Sequence, residues 1–446
     1  MPDSSSSTSP WIPADAASFI ERHTARYDAM AFDALDAEAH RLVAAHEQLV
    51  DHDCINLYAG TNIPNPRGSA LLASTIGSRP NLGHPGAKYN KGMQHAEQLE
   101  VMLSTLLKRL FKARFVEHRV GSGSLANLYA YMATCRPGDS IMAFPDAAAG
   151  HPTHHAIGAA GLYGLEVHDV PFDVTRMDVD ADGLRDAAKR IRPKLIIVAG
   201  SMCLFPYNLA AVRAVADEVG AYVLYDAAHM GGLIAGGEFQ QPLAEGADLM
   251  TGSTYKSFGG PPSGMILTNA PELAERLDRI AFPGLTANFD LGRTAAMIIA
   301  VLDLLAFGPA YAKACIANAR ALAAAMSAEG ITVFKPAGRD QFTTSQHVAL
   351  NAIPYGGGNA ASARIEPANI LFTSIGLPLP EVKGDANGIR IGTQEITRWG
   401  FTPADMAEVA ALCARVLVKG EAPERVQGDV TAFRRQFQDI HFIRKA

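Results

Sequence analysis

The chain has 446 residues, of which 48% are hydrophobic and 19% are charged, and its formal net charge is −6. This length allows a large core and more than one domain. The acidic balance gives no support for binding to nucleic acid or to a membrane surface. The five cysteines are scattered, with no C-x-x-C pair. The sequence therefore predicts neither a disulfide framework nor a zinc site, and it favours a reducing, cytoplasmic location.

The N-terminal part predicts a tail followed by a helical arm. Residues 1–10 are rich in serine and lack the apolar stretch of a signal peptide, so we expect them to be disordered. Helical patterns cover residues 14–27 and 36–50. A longer amphipathic helix is predicted over residues 95–112, where leucines recur at helical spacing.

From Val116 onward, predicted strands alternate with predicted helices. This order is typical of a mostly parallel sheet covered by helices on both faces, a three-layer α/β/α domain. Ligands of such sheets bind at the carboxyl ends of the strands. Ser122, Ser201, Asp226 and Lys256 each come just after a predicted strand, so we expect them to line one site.

The pattern changes after residue 268. Two helices are predicted over residues 291–307 and 310–329, followed by short strands and a last helix over 403–418. The apolar run within the first helix contains Asp303 and is too short to cross a membrane. Residues 355–363 are rich in Gly and Ala and predict a mobile loop. We predict three divisions: a tail and arm (1–54), a large α/β domain (55–307) and a smaller C-terminal α+β domain (308–446).

The most informative residues are a lysine and an aspartate at two strand ends. Lys256 follows the predicted strand 250–254 and precedes a turn of glycines and prolines, and Asp226 ends the apolar run 222–225. A lysine can form a Schiff base with an aldehyde cofactor, and an acid can keep the ring nitrogen of that cofactor protonated. A solvated lysine and a structural carboxylate are the alternatives, although an unpaired acid beside an apolar strand is costly. The pair indicates a pyridoxal phosphate (PLP) enzyme.

Gly121-Ser122-Gly123-Ser124 lies between a predicted strand and a predicted helix. Backbone N–H groups and hydroxyls at a helix start can hold a phosphate group. The alternative is an ordinary helix cap with Ser124 as the N-cap residue. Beside the lysine and the aspartate, the phosphate interpretation is favoured.

Histidines and one arginine complete the candidate site. His229 follows Asp226 by three residues and points to the same pocket, unless it is a core histidine. We interpret His151 as a flat ring that stacks on the cofactor, and the neighbouring residues 154 and 155 as structural, since their spacing does not suit zinc. Arg390 lies in an apolar strand and requires a carboxylate, which is either the substrate or an internal partner.

These residues resemble the serine hydroxymethyltransferase family, PLP enzymes with the aspartate-aminotransferase fold of type I. The similarity runs from about Gly60 to the C-terminus. It is carried by Ser122-Gly123-Ser124 with Ala126-Asn127, Gly150-His151-Pro152-Thr153-His154, Asp226-Ala227-Ala228-His229, Lys256, Phe282-Pro283-Gly284 and residues 388–401.

The resemblance implies a role for each matching residue. Lys256 would carry the internal aldimine, Asp226 would pair with the pyridine nitrogen, and His151 would stack on the ring. The other cofactor contacts would come from His229 and Ser201 near the 3-oxygen, from Ser122, Gly123 and Ser124 around the phosphate, and from Ser253. Arg390 and Tyr89 would bind the amino-acid substrate. Gly284 would reach the phosphate of a neighbouring subunit, which implies a homodimer with shared sites, with pairing into tetramers left open.

Five positions depart from the family pattern. Tyr255 replaces a histidine before the lysine, and we expect it to transfer protons. Leu82 falls where the family has its catalytic glutamate, and Pro80 falls where a tyrosine is usual. Pro262 replaces an arginine, and Gly60 replaces a serine that contacts substrate. The family passes formaldehyde to tetrahydrofolate, and the missing glutamate puts this step in doubt.

Several activities therefore remain open. The first is cleavage and formation of the Cα–Cβ bond of a β-hydroxy amino acid, as in the interconversion of serine and glycine. A folate-independent threonine aldolase or transaldolase, or an enzyme for α-substituted serines, is the rival. A PLP-fold protein that binds without turnover and an aminotransferase are further alternatives.

Overall fold

The computed structural model describes residues 11–445, so the predicted disordered tail lies outside the described residues. The chain divides into two units, Met1–Asp53 and Cys54–Ala446. In the first unit, helices α1 (Ala14–Asp28) and α2 (Phe32–Glu47) precede a π-helical turn, Gln48–Asp53. Glu38 of α2 accepts hydrogen bonds from Arg26 and Arg41, both at 2.7 Å, and the first of these ties the two helices together.

The second unit alternates strands and helices over most of its length. Its α-helices and strands are, in chain order, β1 (Ile55–Asn56), α3 (Pro66–Leu72), α4 (Ala96–Phe111), β2 (Phe115–Glu117), α5 (Gly123–Thr134), β3 (Ser140–Ala143), α6 (Ala159–Leu162), β4 (Glu166–Asp169), β5 (Phe172–Asp173), β6 (Asp178–Val179), α7 (Ala181–Ile191), β7 (Leu195–Val198), α8 (Leu209–Val219), β8 (Tyr222–Asp226), α9 (Gly231–Ala235), α10 (Pro242–Glu245), β9 (Leu249–Ser253), β10 (Gly264–Thr268), α11 (Pro271–Arg279), α12 (Leu291–Ala328), β11 (His347–Asn351), α13 (Gly358–Ile365), β12 (Ile370–Leu371), β13 (Thr373–Ile375), β14 (Gly388–Gly392), α14 (Gln394–Arg398), α15 (Met406–Leu417) and α16 (Pro423–Arg434).

The central sheet has the strand order β2-β10-β9-β8-β7-β3-β4. Strands β9, β8, β7, β3 and β4 run parallel to one another, whereas β10 is antiparallel to both β9 and β2. All four residues of β7 are buried, as expected for a parallel strand covered on both faces. The predicted α/β class with a mostly parallel sheet is confirmed.

The long helix α12 corrects the prediction of two helices. It runs unbroken for 38 residues through Pro309, although an interior proline costs a helix about 3 kcal/mol. Residues along its whole length pack into the core, which offsets that cost. By length and composition it could cross a membrane, but 61% of its most apolar window is buried inside the protein. Its apolar character is therefore explained by its neighbours in the fold.

The C-terminal region contains an antiparallel sheet of order β11-β14-β13. Helix α13 covers most of the predicted mobile loop 355–363, so that prediction was wrong. Asp385 accepts backbone N–H groups at the start of α13, a contact distant in sequence. The predicted boundary between residues 307 and 308 falls inside α12, and the division into a large and a small domain stays a prediction.

Candidate active site

Lys256 lies three residues beyond β9 and is 8% exposed. Its Nζ is 3.0 Å from Nε2 of His229. The ring of His229 faces the carbonyl oxygen of Ala59 through Nδ1 at 3.1 Å. Because a carbonyl only accepts, Nδ1 carries the proton, and Nε2 accepts from Lys256. Burial lowers the pKa of Lys256 to about 8, so more of the amine is in the neutral, nucleophilic form than at a surface lysine.

Asp226, at the end of β8, is buried among hydrogen-bond donors. Its Oδ2 accepts from Nε2 of His154 at 2.9 Å and from Nδ2 of Asn127 at 3.0 Å, and its Oδ1 accepts from the N–H of Ala228 at 2.9 Å. Burial raises the pKa of Asp226, but the hydrogen bond and the charge of His154 lower it overall to well below its usual value. A carboxylate has about four lone-pair sites, so one remains for the protonated nitrogen of a cofactor ring.

His154, which was predicted to be structural, holds Asp226 in place and so supports the site. Its other ring nitrogen, Nδ1, lies 2.5 Å from the hydroxyl of Tyr131 in α5. Asn127, also in α5, accepts from the hydroxyl of Thr251 at 2.7 Å. Helix α5 thus fixes both side chains that hold Asp226 in place.

Arg390 is a buried cation that has no anionic partner among the described residues. Its Nη1 donates to the carbonyl of Ser201 at 2.6 Å and lies 3.3 Å from Nε2 of His229, and its Nη2 is 3.4 Å from the hydroxyl of Thr373. Its Nε has no hydrogen-bond partner, and it joins none of the ion pairs found in residues 11–445. Burial lowers the pKa of Arg390 to about 10, so it stays charged at neutral pH and can take a carboxylate.

The predicted phosphate motif lies at the start of α5. Ser122 is the N-cap residue, since its hydroxyl accepts from the N–H of Leu125 at 3.2 Å; the alternative that placed Ser124 in this role is wrong. A Cβ on Gly123 would clash with the hydroxyl oxygen of Ser253. A side chain at position 123 would therefore require the Ser253 hydroxyl at the end of β9 to move. The N–H groups and hydroxyls gathered here suit a phosphate.

A cavity of about 580 Å³ lies beside Lys256. It is lined by Tyr58, Asp146, Gly150, His151, Pro152, Ser201, His229, Tyr255, Lys256, Ser374, Ile375, Gly376, Ala386 and Arg390. Burial lowers the pKa of His151 to about 4, so its ring is neutral at neutral pH. Burial also raises the pKa of the half-buried Tyr255, with a further contribution from Tyr58. Tyr255 therefore keeps its proton and can act as a donor.

Among the predicted site residues that do not line this cavity, three lie exposed on the surface. Tyr89 is 81% exposed, and Ser124 and Gly284 are also exposed. Gly284 belongs to the segment Ile280–Leu285. Thr286 directly follows this segment, and its hydroxyl contacts the hydroxyl of Tyr129 in α5. This contact anchors the segment to the helix that carries the phosphate motif. The roles of the three residues stay predictions.

Sequence reasoning missed Tyr58 and Asn127 as well as His154. Tyr58 follows a strand of two residues, too short to give a pattern. Asn127 lies in the first turn of a predicted helix, and its place in a segment that resembles the family was the one signal available. His154 and Asn127 are 72 and 99 residues away from Asp226 in the chain. Local sequence spacing cannot predict contacts over such separations.

Comparison with known proteins defines the family. A family model described as serine hydroxymethyltransferase matches residues 32–413. The chain belongs to the serine hydroxymethyltransferase family. This confirms the predicted resemblance.

Relatives within the family have two kinds of name. The alpha-methylserine aldolase of Ralstonia sp is 45% identical over 98% of this chain and 99% of its own. An alpha-methylserine aldolase of Variovorax paradoxus is 47% identical over 97% of this chain and 98% of its own. The serine hydroxymethyltransferase of Pyrococcus horikoshii is 38% identical over 90% of this chain and 95% of its own. A solved structure, the L-threonine transaldolase of Pseudomonas fluorescens, superposes with a TM-score of 0.81 at 25% identity, covering 94% of each chain.

The family and this structural neighbour establish pyridoxal phosphate as the cofactor, and the residues fit it. Lys256 offers a partly neutral buried amine, and Asp226 offers a free lone pair. The start of α5 offers N–H groups and hydroxyls around Gly123, which has no side chain to fill the space. This member of the family is therefore a PLP-dependent hydroxymethyltransferase or aldolase that acts on the Cα–Cβ bond of a β-hydroxy amino acid.

Proposed function

We propose that this protein is a folate-independent aldolase for α-substituted serines, with α-methylserine as the model substrate. The observation that carries the proposal is the difference in identity between the two groups of relatives. Those named alpha-methylserine aldolase share 45–47% identity over nearly the whole chain, whereas those named serine hydroxymethyltransferase share 36–38%.

The charges around the cavity support this choice. Asp146 is the one carboxylate among the cavity residues in the described part of the chain, and its side chain is 86% exposed. Leu82, at the position of the family's glutamate, does not line the cavity. The acid that would assist transfer to folate is thus missing from its sequence position, and the one carboxylate that the described residues give to the cavity wall is largely exposed.

The side chains of the cavity have distinct tasks in this reaction. Arg390 holds the substrate carboxylate and so fixes which α-carbon bond is broken. Asp226 would hold the ring nitrogen of pyridoxal phosphate, and Lys256 would bind its aldehyde carbon. Its phosphate would be held by Ser122, Gly123 and Ser253. When bound, pyridoxal phosphate supplies the electron sink for the broken bond. Overall, the Cα–Cβ bond breaks, the β-hydroxyl loses its proton as formaldehyde leaves, and the α-carbon gains a proton to give alanine. Tyr255 is placed to donate or relay these protons.

We further propose that the protein is cytoplasmic and works as a homodimer with shared sites. Apolar side chains on the N-terminal helices are exposed: Phe19 is 56%, Phe32 is 89% and Val43 is 59% exposed. Such surfaces usually mark contact sites between proteins. Sedimentation or light scattering of the purified protein tests whether it forms a homodimer, and it also distinguishes dimers from tetramers. A monomer at micromolar concentration would contradict it.

The activity is tested by measuring formaldehyde released from α-methylserine and from serine, each with and without tetrahydrofolate. We expect α-methylserine to be cleaved without folate and serine to be a poor substrate. Serine cleavage that depends on folate, without turnover of α-methylserine, would refute the proposal. Release of formaldehyde from neither substrate would favour a binding protein.

A second candidate is a threonine transaldolase, which the structural neighbour of that name favours. Incubation with L-threonine and an aromatic aldehyde tests it. Formation of acetaldehyde and a new β-hydroxy amino acid, at a rate above that of α-methylserine cleavage, would select this alternative.

A further inference from the structure

Tyr58 enters the cavity from a segment that is fixed on both sides. Its backbone N–H donates to Oδ1 of Asn56 at 3.0 Å, and its carbonyl accepts from Nε2 of Gln394 at 3.1 Å. The next carbonyl, that of Ala59, is the one that faces His229. The ring of Tyr58 is therefore carried by the same short segment that sets the tautomer of the histidine beside Lys256.

Gly60 provides the space that the Tyr58 ring occupies. A Cβ built on Gly60 would lie 2.6 Å from Cζ and 2.7 Å from the hydroxyl oxygen of Tyr58. Real Cβ atoms do not approach other atoms so closely, and both atoms belong to the rigid end of the ring. The φ angle of Gly60 is not in the left-handed region, so space rather than backbone conformation requires glycine here. Any side chain at position 60 would displace the phenol.

Displacing the phenol of Tyr58 would matter because its ring lies beside the guanidinium of Arg390. The guanidinium Cζ is 5.9 Å from the centroid of the Tyr58 ring. Arg390 has a free Nε and no carboxylate partner within the described residues. An incoming carboxylate has two oxygens and about four lone-pair sites, more than the exposed edge of one guanidinium fills. The phenol hydroxyl of Tyr58, whose ring lies beside this guanidinium and lines the same cavity, is a natural further donor.

We propose that Tyr58 is a substrate-binding residue whose hydroxyl donates to the substrate carboxylate beside Arg390, and that Gly60 makes room for it. This rests on the proposed function, because an amino-acid carboxylate is taken as the partner of Arg390. The two positions act as a pair, because Gly60 leaves the space that the Tyr58 ring occupies.

The test measures ligand binding to the holoenzyme through the visible absorbance of its bound cofactor. The ligands are 2-methylalanine, which has no β-hydroxyl and cannot be cleaved, and isopropylamine, which has the same carbon skeleton without the carboxylate. Tyr58→Phe removes only the hydroxyl and keeps the ring, and Gly60→Ala displaces the ring. Tyr163→Phe and Gly428→Ala are matched controls, since the Tyr163 hydroxyl makes one 3.4 Å contact and a Cβ on Gly428 meets nothing within 4 Å.

For Tyr58→Phe we expect the Kd of 2-methylalanine to rise about tenfold or more, the usual effect of losing a hydrogen bond to a charged group. The Kd of isopropylamine and the affinity for pyridoxal phosphate should not change. Gly60→Ala should show the same loss, specific to the carboxylate ligand, and the two controls should bind like the unmutated protein.

Unchanged binding of 2-methylalanine by Tyr58→Phe would overturn the proposal, and so would an equal loss for both ligands, which would mean a structural role. These results would leave the aldolase function intact if the unmutated protein still cleaves α-methylserine. Failure of the unmutated holoenzyme to bind any amino acid would overturn the proposed function and the role of Tyr58 together.

Discussion

Replacing His154 with leucine should destabilise the protein through the buried carboxylate of Asp226. The side chains of His154 and Asp226 are 1% and 3% exposed, so their 2.9 Å contact is shielded from solvent. Losing one hydrogen bond to a buried charge costs about 1.5–3 kcal/mol, and losing the partner of the Tyr131 hydroxyl costs about 1 kcal/mol more. We therefore expect His154→Leu to lower the free energy of unfolding by about 2.5–4 kcal/mol.

Chemical denaturation of the apoprotein, combined with a double-mutant cycle, measures this effect. Asp226→Asn removes the negative charge to which His154 donates a hydrogen bond. The loss of unfolding free energy in the double variant should therefore be smaller than the sum of the losses in the two single variants. His154→Gln, which keeps an N–H donor, should recover part of the loss. His95→Leu, at an exposed position, is the control. A loss below about 0.5 kcal/mol for His154→Leu, or strict additivity in the cycle, would refute the reasoning.

Three more predictions follow from the geometry of the site. Because burial lowers the pKa of Lys256 to about 8, the rate at which apoprotein takes up pyridoxal phosphate should rise with pH through a midpoint near 8; a midpoint near the ordinary value of about 10.4 would contradict this. Arg390→Lys should raise KM for the amino acid at least about tenfold with a smaller effect on kcat, because an ammonium cannot replace the two-pronged guanidinium; an unchanged KM would show that the carboxylate binds elsewhere. Gly123→Ala should cost about 1–3 kcal/mol of stability and weaken cofactor binding, and Ser253→Ala in the same chain should restore part of the stability by removing the clashing oxygen; no recovery would place the strain elsewhere.

Local patterns were sufficient for the parts of the fold that repeat. The alternation of apolar strands and amphipathic helices predicted the parallel sheet, and the rule that ligands bind at strand ends brought Ser201, Asp226 and Lys256 to one edge. Prediction was less reliable where long-range packing competes with local preference. Pro309 predicts a helix end, yet α12 continues through it because its flanks are packed in the core. The Gly-rich start of α13 predicts a loop, yet Asp385 caps it.

The amino-acid sequence by itself determined the kind of chemistry, because a lysine and an aspartate at the ends of neighbouring strands need only the periodicity of the chain to be placed together. Only the tertiary structure decided how these groups are tuned. The pKa of Lys256, the donors that surround Asp226 and the position of Tyr58 over Gly60 all depend on contacts between residues far apart in the chain or on the exact space left between them. Burial and hydrogen-bond geometry set those properties, and neither is written in local sequence.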